Sequence, residues 1–167
     1  MVMMSLRPVA LAILIVAAAS RPAPAATGAA SLTGTSRLAA KGCGADREPL
    51  VATVTVRDDG TWSAESPGDQ SSGTYTSVGR TGRKLAFAFD APTLTALTGR
   101  IVEGVSGLCN VSGVVITSSR AKALTLTINR KLTRAKLVLR YVFAGTAGGR
   151  RGTATYTARA AGPWTPQ

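Results

Sequence analysis

The sequence predicts a mainly β protein: an antiparallel up-and-down β-barrel or sandwich of about nine strands with one short helical insertion. The clearest signal is residues 122–145, where two alternating runs flank a polar, basic turn, as in a β-hairpin. A second signal is Asp58-Asp59-Gly60 between two alternating segments, because glycine supplies the positive φ that a tight turn requires. A third is the regular spacing of short β-rich segments with turn residues between them.

The first five predicted strands are separated by turns rich in glycine, proline and aspartate. They are expected at residues 31–41, 50–57, 61–64, 73–78 and 84–90. Trp62, Tyr75 and Phe87 fall at alternating positions of the third, fourth and fifth strands, where core packing explains them.

After the fifth strand the apolar residues recur at steps of three and four instead of two. The residues with this spacing are Leu94, Leu97, Ile101, Val105 and Leu108. Asp90 stands where an N-cap is expected and Pro92 falls in the first turn. The sequence therefore predicts one or two short helical turns at residues 92–106, packed on the sheet.

Four more strands are expected in the last third of the chain. The sixth occupies residues 111–118 and ends at a turn, residues 119–122. The hairpin at residues 122–145 supplies the seventh and eighth strands, since Leu124 and Leu126 alternate with threonine in its first arm. The ninth strand is expected at residues 152–160.

The N-terminus has the three parts of a secretory signal peptide. Arg7 supplies a positive charge, residues 9–19 form an uncharged apolar run, and Ala23-Pro24-Ala25 has the small residues that signal peptidase accepts. The run is much shorter than the ~20 residues of a transmembrane helix. We therefore expect cleavage of residues 1–25 and a secreted or periplasmic protein. Residues 26–162 are then a single β domain, and residues 163–167 a disordered tail.

In an exported protein the two cysteines, Cys43 and Cys109, are expected to form a disulfide bond, because an oxidising compartment favours it. Only one pairing is available. The sequence therefore predicts a Cys43–Cys109 bridge between the first turn and the end of the helical insertion.

The chain is strongly basic, with 20 Lys and Arg against 8 Asp and Glu. Loss of Arg7 and Arg21 with the signal peptide leaves a net charge of +10. Such a surface attracts polyanions. The arginine-rich, alanine-rich composition is equally consistent with a GC-rich genome, so both interpretations stay open.

Signatures of catalysis are absent from the sequence. The chain contains no histidine, so Ser-His and Cys-His dyads are excluded, and with both cysteines bonded a zinc site lacks ligands. Asp90 and Glu103, which flank the helical insertion, are the one acidic pair to test as paired carboxylates. We expect no enzyme, no cofactor and no metal.

Three functions remain open for a chain of this kind. The first is a non-enzymatic exported binding protein, with a small apolar ligand in the barrel lumen or a protein partner. The second is an electrostatic binder of anionic envelope polymers, and the third a secreted hydrolase inhibitor. Specific nucleic-acid binding is not expected, because neither a recognition helix nor a basic face with interleaved aromatics is present. A membrane-spanning barrel is also not expected, because the outward positions carry threonine and arginine.

A nine-strand meander places alternate connections at the same end of a barrel. The turns at residues 58–60, 79–83, 119–122 and 146–151 are then expected at one end, where they gather eight basic residues into a polyanion patch. These residues are Arg57, Arg80, Arg83, Lys84, Arg120, Lys122, Arg150 and Arg151. The other end is expected to hold both cysteines together with Arg130, Lys131 and Arg134.

Overall fold

The structure, a computed structural model, describes residues 25–167. The predicted signal peptide lies outside these residues except for Ala25. Within them, eight antiparallel strands follow in chain order and close into a barrel, with one helix between the fifth and sixth strands. The strands are β1 (Gly28–Ala40), β2 (Gly44–Val56), β3 (Thr61–Ser66), β4 (Asp69–Val78), β5 (Lys84–Phe89), β6 (Val115–Ile128), β7 (Arg134–Ala147) and β8 (Arg150–Pro166), and the helix is α1 (Ala91–Cys109).

The predicted β class, up-and-down order and helical insertion are confirmed, but the barrel has eight strands instead of nine. The predicted sixth strand and the first arm of the hairpin form one continuous strand, β6. The expected turn at residues 119–122 lies inside this strand, where the pairing register with β7 shifts between Ala121 and Ala123. A β-bulge of this kind inserts an extra residue and bends the strand without ending it.

The expected disordered tail at residues 163–167 is wrong, because β8 continues to Pro166. Trp164 is only 4% exposed, and its backbone N–H donates a hydrogen bond to the carbonyl of Thr133 over 2.9 Å. Pro163 falls where the pairing of β8 with β1 is interrupted, so its missing N–H costs no hydrogen bond there. Burial of the tryptophan side chain therefore holds the C-terminus in the barrel wall.

The barrel wall is uneven in height. β3 and β5 have 6 residues each, whereas β1, β2, β6 and β7 have 13 or 14. β5 therefore pairs with β6 only at Lys84, Leu85 and Ala86. Helix α1 packs against β1, β2, β4, β6 and β8, so its buried face covers the mouth of the barrel.

The interior is filled by aromatic and aliphatic side chains at alternating strand positions. Trp62 stacks on Phe87 with ring centroids 4.6 Å apart, and its indole N–H donates to the carbonyl of Thr74 over 3.0 Å. Strand glycines let neighbouring strands coil closely: a Cβ at Gly34 would lie 1.9 Å from the carbonyl oxygen of Arg159. Close approaches of this kind allow a sheet to coil and close into a barrel.

Candidate ligand-binding site

The eight-strand meander defines two ends of the barrel. One end, called the disulfide end below, holds the turns at residues 41–43, 67–68 and 148–149 together with α1. The other, called the hairpin end, holds the turns at residues 57–60, 79–83 and 129–133.

The predicted disulfide bond is present at the disulfide end. Cys43 and Cys109 are bonded with their α-carbons 4.8 Å apart. Cys43 lies in the turn between β1 and β2, and Cys109 is the last residue of α1. The bond therefore fixes the C-terminus of the helix to the barrel rim.

The N-terminus of α1 is fixed to β4 by hydrogen bonds. The Asp90 carboxylate caps the helix by accepting from the backbone N–H of Thr93 over 2.8 Å and also accepts from the hydroxyl of Ser72. The Ser72 hydrogen bond is the main reason that the pKa of Asp90 lies below its usual value, and the Thr93 N–H adds to the effect. Because both ends are held, α1 forms a fixed wall over the barrel mouth.

A pocket of about 350 Å³ opens between the C-terminal half of α1, the disulfide and the β7–β8 turn. Its floor is apolar and comes from residues of the barrel interior and the helix, chiefly Phe143, Val105 and Ala154, all of them buried. The chain leaves the helix at Asn110, whose left-handed backbone (φ 50°) ends α1. The following loop supplies Val111 as a side wall. The volume is within the range of about 300–1,000 Å³ that is typical of small-molecule sites.

The rim of this pocket is basic. Lys41, Arg150 and Arg151 line it and are all exposed, while none of its lining residues is acidic. Positive charges at the mouth of an apolar pocket attract an anionic group and leave the apolar part of the same molecule to enter. The arrangement is therefore suited to a small amphiphile with one anionic group.

The barrel lumen offers much less room. A separate cavity of about 80 Å³ lies among Trp62, Phe87, Phe89 and Leu137. An engineered cavity of about 150 Å³ is known to bind benzene, so the lumen as it stands is too small for a molecule of that size. Aromatic side chains, among them Trp62, Phe87 and Phe89, surround this small cavity.

The eight basic residues predicted to form one patch are separated by the structure. Arg57, Arg80, Arg83 and Lys84 lie at the hairpin end, and Arg150 and Arg151 lie at the disulfide end. Arg120 and Lys122 lie within β6. The prediction is wrong because it placed a turn inside β6. In a meander successive turns alternate between the two ends of the barrel, so one extra turn assigns every later turn to the opposite end.

The eight-strand order also changes the end of the barrel at which other basic residues lie. Arg130, Lys131 and Arg134 belong to the turn between β6 and β7 and its flank, so they lie at the hairpin end and not at the disulfide end as expected. They join Arg57, Arg80, Arg83 and Lys84 there, against Asp58 and Asp59. The hairpin end is therefore strongly basic, with a membership different from the predicted one.

The proposed carboxylate pair does not form. Asp90 caps the start of α1 while Glu103 lies thirteen residues further along the helix, or roughly 20 Å at the 1.5 Å rise of an α-helix. Among residues 25–167, no group of three or more His, Cys, Asp or Glu side chains is placed to hold a metal ion. In the same part of the chain no helix is long and apolar enough to cross a membrane.

Of the residues that line the pocket, only Cys43, Cys109, Arg150 and Arg151 were among the predicted site residues. Lys41, Val111 and Val114 are among those that were not. Lys41 lies two residues before Cys43 in sequence, so the disulfide was the only available signal for it. Val111 and Val114 were expected in a strand, and they reach the pocket because the helix ends at Asn110.

Comparisons with protein-family models, with curated proteins and with solved structures find no match to this chain.

Proposed function

We propose that this chain is an exported, non-enzymatic binding protein that holds a small amphiphile, with an apolar body and one anionic group, in the pocket at the disulfide end. The observation that carries the proposal is the combination of a buried apolar floor with three exposed basic residues on the rim. This proposal keeps the small apolar ligand expected from the sequence and moves it from the lumen to the barrel mouth.

Two further features support this site. The Cys43–Cys109 bond forms part of the pocket wall, so the wall is preorganised and little ordering cost accompanies binding. The anionic group, placed at Arg150 and Arg151, would accept charge-assisted hydrogen bonds, which are shorter and stronger than neutral ones.

The test is isothermal titration calorimetry with dodecanoate on the disulfide-bonded protein. We expect saturable one-to-one binding, and weaker binding of dodecanol, which has the same chain without the charge. Val111→Phe, which fills the pocket from a partly exposed loop position, should weaken dodecanoate binding at least ten-fold. Val78→Phe is the matched control, because Val78 is an exposed valine at the other end of the barrel.

The role of the rim is tested separately with Arg150→Gln/Arg151→Gln. Loss of two charge-assisted hydrogen bonds, at ~1.5–3 kcal/mol each, is expected to weaken dodecanoate at least ten-fold and to leave dodecanol unchanged. Arg80→Gln/Arg130→Gln removes the same charge from the hairpin end and should bind dodecanoate like the original protein. Absence of dodecanoate binding, or equal effects of the two double variants, would overturn the proposal.

A further inference from the structure

We infer that the outer face of the barrel wall carries a second binding site, for a linear polymer that bears phosphate or sulfate groups. Four arginines form it, one on each of four neighbouring strands. These residues, called the arginine face below, are Arg37 of β1, Arg47 of β2, Arg140 of β7 and Arg159 of β8.

The strand register brings the arginine face together. Arg47 lies directly opposite Arg37, Arg37 lies opposite Thr157, and Thr157 lies opposite Arg140. At the ~4.8 Å spacing of neighbouring strands, this row spans roughly 14 Å across the wall. Arg159 stands in the next row, opposite Thr35.

The side chains on this face enclose a shallow groove of about 540 Å³. The four arginines line it with Thr35, Thr155 and Thr157, and all four arginine side chains are exposed. Guanidinium groups present paired N–H donors whose geometry matches phosphate and sulfate oxygens. The hydroxyls of Thr35 and Thr155 are further donors for the same oxygens.

Among residues 25–167, none of the four arginines of the arginine face forms an ion pair. Like charges directly opposite on neighbouring strands destabilise a sheet, and Arg37 and Arg47 are such a pair. The only ion pair among residues 25–167 joins Arg100 to Asp69, at the disulfide end.

The nearest acidic side chains in sequence point the other way. Asp46 and Glu48 flank Arg47, and side chains alternate between the two faces of a strand. Both line a cavity with Glu103 of α1 on the inner side of the β1–β2 hairpin. The hairpin is therefore acidic on one face and basic on the other, and an external polyanion supplies the counter-charge that the basic face lacks.

The surroundings of the arginine face favour a polymer without bases. Single-stranded nucleic acids bind to sheets through aromatic side chains on which their bases stack. In the described part of the chain, the aromatic side chains belong to the buried core or pack against it. The face therefore offers phosphate or sulfate contacts and no stacking surface.

The test uses fluorescein-labelled dextran sulfate, with anisotropy measured from 20 to 300 mM salt. We expect binding to weaken at least ten-fold in the variant Arg37→Gln/Arg47→Gln/Arg140→Gln/Arg159→Gln. The slope of log affinity against log salt concentration should also become shallower by about two to four, because each lost contact releases about one counterion fewer. The matched control, Arg80→Gln/Arg130→Gln/Lys131→Gln/Arg134→Gln, removes the same charge from the hairpin end. It should lose less than about three-fold by long-range electrostatics alone.

Both variants substitute exposed side chains, so both should stay folded. The variant of the arginine face should unfold at a temperature no lower than that of the original protein, because it removes the repulsion between Arg37 and Arg47. Equal losses in the two variants would show that net charge alone attracts the polymer, and a larger loss in the control would place the site at the hairpin end. Either result overturns the inference. So does binding of uncharged dextran, or of an oligothymidylate of equal charge with an affinity as high as that of dextran sulfate.

Discussion

The hydroxyl of Ser72 in β4 donates a hydrogen bond to the carboxylate of Asp90, the N-cap of α1. The backbone adds a second connection between the same two residues, because the N–H of Asp90 donates to the carbonyl of Ser72 over 3.0 Å. Helix α1 thus begins at a point fixed to the barrel wall, and it ends at Cys109, which is bonded to Cys43.

The Asp90 cap makes a specific contribution to acid sensitivity. Its folded-state pKa lies below the usual 3.8, chiefly because of the Ser72 hydrogen bond. The contribution is therefore present in full above the unfolded pKa and is lost as the pH falls through the folded pKa. We expect the original protein to be more stable than Asp90→Asn above about pH 5, and the difference to shrink below about pH 4.

Urea unfolding of both proteins across this pH range measures the difference. Asparagine is a good N-cap, so the comparison isolates the charge of the carboxylate. Asp59, whose pKa is also lowered, contributes equally in both proteins and cancels. A difference that stays constant from pH 6 to pH 2 contradicts the prediction.

Removal of the disulfide bond should lower the stability of the domain substantially. Cys43 and Cys109 are 66 residues apart in sequence, and the chain-entropy model assigns about 4 kcal/mol to a loop of this length. Cys43→Ser/Cys109→Ser should show this loss in urea unfolding. The original protein measured in reductant is the control and should lose a similar amount, while a loss below about 1 kcal/mol would count against the model.

Two glycine substitutions should have opposite effects. A Cβ at Gly34 would lie 1.9 Å from a backbone oxygen of β8, so Gly34→Ala forces two strands apart and should cost about 2 kcal/mol or more. Gly99 is exposed within α1 and has no atom within 4 Å of an added Cβ. Gly99→Ala should therefore raise the stability by about 0.5–1 kcal/mol. Thermal unfolding of both variants checks the signs, and a neutral Gly34→Ala would show that the strands do not approach so closely.

Arg120 and Lys122 lie on an open edge of β6, where we expect them to prevent association with a second molecule. They lie in the part of β6 that pairs with β7 on one side, while β5 reaches only as far as Thr125 on the other. Charged side chains and a bulge on such an unpaired edge prevent pairing with a second molecule. Arg120→Val/Lys122→Val should therefore self-associate at high concentration.

Light scattering at increasing protein concentration measures this association. Arg134→Val/Lys136→Val on β7 is the matched control, because β7 pairs with β6 on one side and with β8 on the other at or next to these residues. Equal association of both variants would mean that surface hydrophobicity, and not the open edge, is responsible.

The β class, the meander, the helical insertion and the cysteine pair could be predicted from the sequence, because each depends on local spacing or composition. The alternation of Leu137, Leu139, Tyr141 and Phe143 is a property of one strand. The N-cap of α1 is equally local, because the Asp90 carboxylate accepts from the N–H of Thr93, three positions ahead. Such signals need no knowledge of distant residues.

The positions of the charges could not be predicted in the same way, because they depend on which strands pair. Residues 119–122 resemble a turn in composition, yet pairing with β7 keeps them in a strand, because the hydrogen bonds of a neighbouring strand outweigh local preference. One miscounted turn then exchanged the ends at which Arg130 and Arg150 were expected. The arginine face has the same origin, since its residues come from positions 37, 47, 140 and 159, and only the register of four strands brings them together.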